Sequence, residues 1–175
     1  AERLLTELKD RMGDCGLQLH PEKTKIVHCA DTNRLEQGQP CRFDFLGFTF
    51  KPRNASGRGK VFTTFTPAVS DKALAGIRQK VRSWKLSRRG SQSLEQLCAD
   101  IGPQVQGWVN YYGAYRASTL YRELRVIDVH LVQWARRKYK RLAKHHDRAW
   151  EWLKGLQTRM PRLLPHWWTA MRSTG

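Results

Sequence analysis

The hydrophobic period of this chain changes once, near residues 67–70, and that change constrains what each part can become. Before it, apolar residues alternate. RFDFLGFTFK reads as the strongest strand, with Phe43 and Phe45 on one face and Leu46, Phe48 and Phe50 on the other. PRNASGRGK reads as a basic, Gly-containing turn and VFTTFTP as a returning strand. Upstream, AERLLTELKDRMGDCG sets Leu4, Leu5, Leu8 and Met12 on one helical face, with Gly13 or Gly16 placed to end it. LQLHPEKTKIVHC alternates at Leu17 and Leu19, breaks at Pro21 and resumes as a short strand at residues 25–28. DTNRLEQGQP reads as a loop.

After residue 70 apolar residues recur every three or four positions. SDKALAGIRQKVRSW opens with a Ser-Asp cap and carries Leu74, Ile77, Val81 and Trp84 on one face. LSRRGSQS is a basic linker. A short helix starts at Ser93 and is interrupted by Gly102-Pro103, with Pro103 suited to the first turn of the next helix. The longest helix spans residues 120–144, with Leu120, Leu124, Ile127, Leu131 and Trp134 buried, and a last helix covers residues 147–158. The fold class is therefore α+β: a small antiparallel hairpin or sheet with one helix, then an all-α region. The divisions fall at residues 1–67, 68–160 and a Trp/Pro-containing tail at 161–175.

Charge supplies the first functional clue. Lys and Arg number 32 against 15 Asp and Glu, a net +17. A domain this basic repels itself, and a nucleic acid is the usual partner that offsets the repulsion. QWARRKYKRLAKHH places Arg137, Lys140, Arg141 and Lys144 at i, i+3, i+4 and i+7, a basic stripe if the helix continues, with Arg136 beside it. Such a stripe suits the phosphate rails of a duplex. Two further clusters, Arg53/Arg58/Lys60 and Arg82/Lys85/Arg88/Arg89, are expected on loop or linker segments able to close around an irregular RNA.

GWVNYYGAY poses the opposite question. Trp108, Tyr111, Tyr112 and Tyr115 share one helical face. Stacking platforms for single strands sit mostly on strands and loops, so this face reads as core meeting a wet edge. Asn110 and Arg116 project elsewhere and are the better ligand contacts.

Catalytic chemistry finds no local support. There is no D-D or D-x-D pair, no phosphate loop and no nucleophile motif, so no catalytic residue is assigned. Cys15, Cys29, Cys41 and Cys98 lack ligand spacing, and no metal site or disulfide framework is read from them; scattered thiols suit a reducing cytoplasm, here of bacterial type. No apolar run reaches the ~18 residues of a membrane span, and no signal peptide is visible. Opening at Ala1 inside an amphipathic pattern, the chain reads as a piece of a longer protein.

LQLHPEKTKIV, then FDFLGFTF, then a helical region holding GWVNYYGAY resembles, in that order, the group II intron maturase and reverse transcriptase family. The resemblance implies the end of a polymerase palm, a hairpin that grips the primer strand, and a helical thumb or maturase domain. It assigns Leu46 and Gly47 to primer contact, and Lys23 and Thr24 to a remnant of the nucleotide site. The family's catalytic Asp-Asp loop would lie upstream of Ala1, so Mg2+ is expected only for the parent polymerase and no cofactor for this chain. The implied partners are group II intron RNA, bound to assist splicing, and an RNA or RNA–DNA template–primer duplex. Two alternatives are a fragment of an active RNA-directed DNA polymerase and a generic basic duplex-binding helical protein.

Overall fold

A computed structural model describes residues 1–29, 41–57 and 59–172, with side chains described as far as Trp168. The expected loop at residues 31–40 and the candidate Arg58 lie outside the described residues. The chain divides into two compact units, one of Ala1–Phe45 with Phe50–Thr66, the other of Leu46–Thr49 with Pro67–Gly175.

In the first unit, helix α1 (Glu2–Asp14) carries an Arg3–Glu7 pair at 2.9 Å. Gly16, at φ 69°, follows its end. The apolar face does form, but none of its residues is buried and Leu4 and Leu8 are exposed. Residues 25–28 are not a strand. Strands exist by pairing, and the three-stranded sheet, in the order β1-β2-β3, takes no edge from them.

The sheet corrects the reading of FDFLGFTF as a single strand. Strand β1 (Phe43–Phe45) ends at Leu46-Gly47, and the chain returns as β2 (Phe48–Gly57), which pairs with β3 (Lys60–Val69). Leu46 and Gly47 have φ of 47° and 77°, the positive pair that a type I′ hairpin turn requires. The turn reverses the faces, so Phe43 stacks on Phe50, centroids 4.7 Å apart, where a continuous strand would separate them. PRNASGRGK is likewise mostly strand rather than turn.

The second unit is helical. Helix α2 (Asp71–Ser83) starts at Ser70, whose hydroxyl accepts from Ala73 N at 3.2 Å, and buries Leu74, Ile77 and Val81. Helix α3 (Leu94–Tyr112) opens with a reciprocal Ser93/Gln96 cap and runs unbroken through Pro103, against the expected interruption. An internal proline costs about 3 kcal/mol. Burial of Ile101 and Val105 on either side, each contributing roughly 1.5–3 kcal/mol, outweighs it. Helix α4 (Ala117–Lys138) packs on α2, α3, α5 (His146–Arg159) and α6 (Pro165–Arg172), and so is the axis of this unit. Its Leu120, Leu124, Ile127, Leu131 and Trp134 are fully buried. Leu164, just before α6, and Trp167, within it, join the same core.

Helix α4 ends at Lys138 and not at Lys144. Tyr139 turns to extended backbone at φ −105°, ψ 112°, and residues 140–142 form a 3-10 turn. The early end lets Tyr139 pack edge-on to Trp134 at 5.8 Å and against Trp152 at 5.9 Å, while Leu142 enters the core.

Candidate nucleic-acid interface

Because α4 stops at Lys138, Arg137, Lys140, Arg141 and Lys144 do not form a single helical stripe. The structure uses the basic run differently. Arg136 Nε and Nη2 donate to Ala143 O at 3.4 and 3.2 Å, holding the chain reversal. Arg137 Nη1 donates to Ser87 O at 3.4 Å, and Lys138 Nζ to the carbonyls of Gly90 and Gln92. Trp134 Nε1 donates to Arg89 O at 3.0 Å. The LSRRGSQS segment, expected as a basic linker, is thus fastened to the end of α4, with its own first residue, Leu86, fully buried.

This fastening joins two basic clusters some fifty residues apart in sequence. Arg88, Lys140, Arg141 and Lys144 remain exposed around the tie. Arg89 pairs with Asp100 at 3.1 Å. The acceptors of Arg136, Arg137 and Lys138 are neutral carbonyls, so those bonds position the cations without cancelling their charge. Glu95 sits nearby, its carboxyl held below the usual range by its own backbone N–H and the Ser93 hydroxyl, with a smaller contribution from Lys138. Basic side chains in the last turn of α4 also complement the helix dipole.

Helix α3 ends at Tyr112, so Tyr115 lies in the turn beyond it and not on the expected helical face, and the aromatic cluster there has a protein occupant. Within the second unit, Phe48 is buried against Tyr111, Tyr112 and Tyr115, with centroids at 5.5, 5.5 and 5.7 Å. Tyr111 donates its hydroxyl proton to Leu46 O at 2.9 Å. Burial pushes the Tyr112 phenol up from its usual range, with Tyr111 adding to the shift. Trp108 is half-buried and stacks on Trp84 at 5.7 Å. Leu46 stays 66% exposed at the tip of the turn.

The other candidates are dispersed. Asn110 is exposed and accepts from Gln106 Nε2 at 2.7 Å. Arg116, at φ 44°, precedes α4. Arg53 lies in β2 rather than a loop, its Nε donating to Thr66 O at 3.3 Å, and Lys60 opens β3. Lys23 and Thr24 donate backbone N–H groups to His20 O, and Lys23 borders a cleft of about 720 Å3 with Lys25 and Arg42. Among the described residues no three His, Cys, Asp or Glu side chains are grouped to hold a metal ion. Burial pushes the Cys98 thiol up to about 12, keeping it protonated and inert.

Sequence reading missed a second cationic place. Arg122, Arg125 and Lys154 line a cleft of about 710 Å3 with Tyr121 and Trp150. Under it lies a buried network in which Asp128 Oδ1 accepts from Trp167 Nε1 at 2.7 Å and meets His166 Nε2 at 3.3 Å, while Oδ2 accepts from Gln157 Nε2 at 3.4 Å. The available signal was Asp128 itself, a lone acid at a core position in RVIDVHLV.

Residues 74–152, from α2 into α5, match the protein-family model described as the group II intron, maturase-specific domain. That segment is similar to the maturase-specific domain of this family. No curated protein and no solved structure matches the chain. The matched segment contains both basic clusters, the tie between them and the tyrosines at and beyond the end of α3. No helix among the described residues is long and apolar enough to cross a membrane.

Proposed function

We propose that this chain binds group II intron RNA and assists its splicing, holding phosphates with the cations gathered at the end of α4. One observation carries this reading: Arg137 and Lys138 tie the 86–92 segment to α4 through neutral carbonyls, concentrating cationic charge that Asp100 and Glu95 offset only in part. The binding is Coulombic and falls with salt through counterion release. Discrimination comes from RNA shape and unpaired bases. The test is a salt titration against RNA transcribed from DNA flanking the gene, with a scrambled RNA of equal length beside it. Preference for the flanking RNA that survives raised salt supports the reading. Equal binding that vanishes with salt reduces the protein to a generic basic domain.

A second role is gripping a template–primer duplex, with residues 1–67 as the end of a polymerase palm and 68–160 as its thumb. It is favoured by Leu46, an exposed apolar side chain held in left-handed backbone at a turn whose carbonyl is fixed by Tyr111. Catalysis and Mg2+ would then belong to the parent polymerase, with Lys23 and Thr24 beside its nucleotide site. Leu46→Ala should weaken binding to an RNA–DNA hybrid and spare intron RNA; equal effects on both would remove this role.

A further inference from the structure

We infer that the cleft between α4, α5 and α6 receives one unpaired nucleotide of the bound RNA, an assignment that rests on the RNA-binding reading above. The space, about 710 Å3, lies within the roughly 300–1,000 Å3 typical of small-ligand pockets. Tyr121 and Trp150, both partly buried, line it, Trp150 with its Nε1 bonded to His146 Nε2 at 3.2 Å, and every base has a π-face that such rings can stack. Arg122, Arg125 and Lys154 stand exposed at its rim, and none forms a salt bridge among the described residues.

Three cations here face one carboxylate, Asp128, whose two oxygens are already engaged by Trp167, His166 and Gln157. The acid is buried and fastened, so the rim is left for an anion. His166 Nδ1 has no hydrogen-bond partner, but it is closed to solvent. Stacking walls and rim cations, not His166, therefore do the recognising. The same logic selects the occupant. A duplex presents its bases edge-on within the stack and keeps its phosphates on a convex rail, neither of which fills an aromatic recess. An extruded base with its phosphate supplies a flat apolar face and an anion within one nucleotide's reach.

The experiment compares the intact protein's affinity for an RNA hairpin carrying one bulged adenosine and for its fully paired counterpart. Salt is raised to suppress general phosphate binding. Wild type should prefer the bulged hairpin by about tenfold, the scale of one base–aromatic contact. Trp150→Ala should bring the ratio close to one. Arg125→Gln with Lys154→Gln, both surface positions that spare the core, should lower it too. A wild-type ratio of one, or a preference untouched by either variant, overturns the inference and leaves the RNA-binding reading intact. Failure to bind either hairpin even at low salt overturns that reading itself. AMP should bind more tightly than inorganic phosphate, and tighter binding of a phosphoserine peptide than of AMP would reassign the cleft to a protein partner.

Discussion

GWVNYYGAY and QWARRKYKR both look like binding stretches, yet protein contacts affect them in opposite ways. The tyrosines of the first surround Phe48, and Trp108 lies on Trp84. A ring face covered by another side chain is no longer available to a base. The cations of the second are also bonded to protein, through Arg136, Arg137 and Lys138. A cation bonded to a neutral carbonyl keeps its charge and its field. Internal contacts thus remove much of an aromatic face from the surface while leaving a basic cluster charged.

The largest effect that should separate the two regions is structural. Trp134→Ala removes a fully buried ring and the Nε1 bond that holds Arg89 O. It should destabilise the maturase domain by about 3–5 kcal/mol in denaturant unfolding, and RNA affinity should fall with it because the basic tie is released. A stable variant that still lost RNA binding would separate the tie from the core.

Gly47→Ala comes next. Its φ of 77° disfavours a side chain, and an added Cβ would stand 2.9 Å from the Tyr112 hydroxyl. The left-handed strain alone costs about 1–2 kcal/mol. Tyr112→Phe in the same chain should relieve the closest contact, but neither the ring carbon Cε1 at 3.2 Å nor the strain, which a double-mutant cycle of melting would resolve. Trp108→Ala, at a half-buried ring stacked on one partner, should cost about 1–2 kcal/mol, less than a core tryptophan, with RNA affinity nearly unchanged. A greater loss of RNA binding than of stability would return the aromatic face to the binding surface.

The smallest effect concerns pH. Burial, with Arg82 adding to it, holds the His130 imidazole below its usual range. The unfolded chain therefore takes up that proton first. Its contribution is present in full above about pH 6.5 and is lost as pH falls from there through the lower folded value. His130→Asn should flatten the stability profile in that window; an unchanged profile would assign the slope to other groups.

Much of the helical unit was legible because its signals are local and mutually consistent. Ser70 capped α2 as its side chain predicts, and the spacing from Leu120 to Trp134 marked the buried side of α4. The failures were places where distant packing overruled a local rule. Leu46 carries no turn signal, yet the turn forms where Phe48 gains three tyrosine neighbours. Pro103 should end a helix, yet Ile101 and Val105 keep it in register. The basic stripe extended an arithmetic pattern past Lys138, where Tyr139 and Leu142 had stronger partners. The meeting of Arg88 with the end of α4 depends on bonds to backbone carbonyls, which side-chain identity does not reveal.

The most direct test sets the two regions against each other in one salt titration of intron RNA binding. Lys140→Ala/Arg141→Ala/Lys144→Ala removes three exposed cations, and Tyr115→Ala removes a ring that is 53% exposed. The triple variant should lower the slope of log K against log salt by about 2–3, with stability within about 0.5 kcal/mol of wild type. The tyrosine variant should keep the wild-type slope and nearly its affinity. A tyrosine variant that loses binding at every salt concentration, beside a triple variant with an unchanged slope, would contradict the claim that charge rather than aromatic stacking carries RNA to this domain.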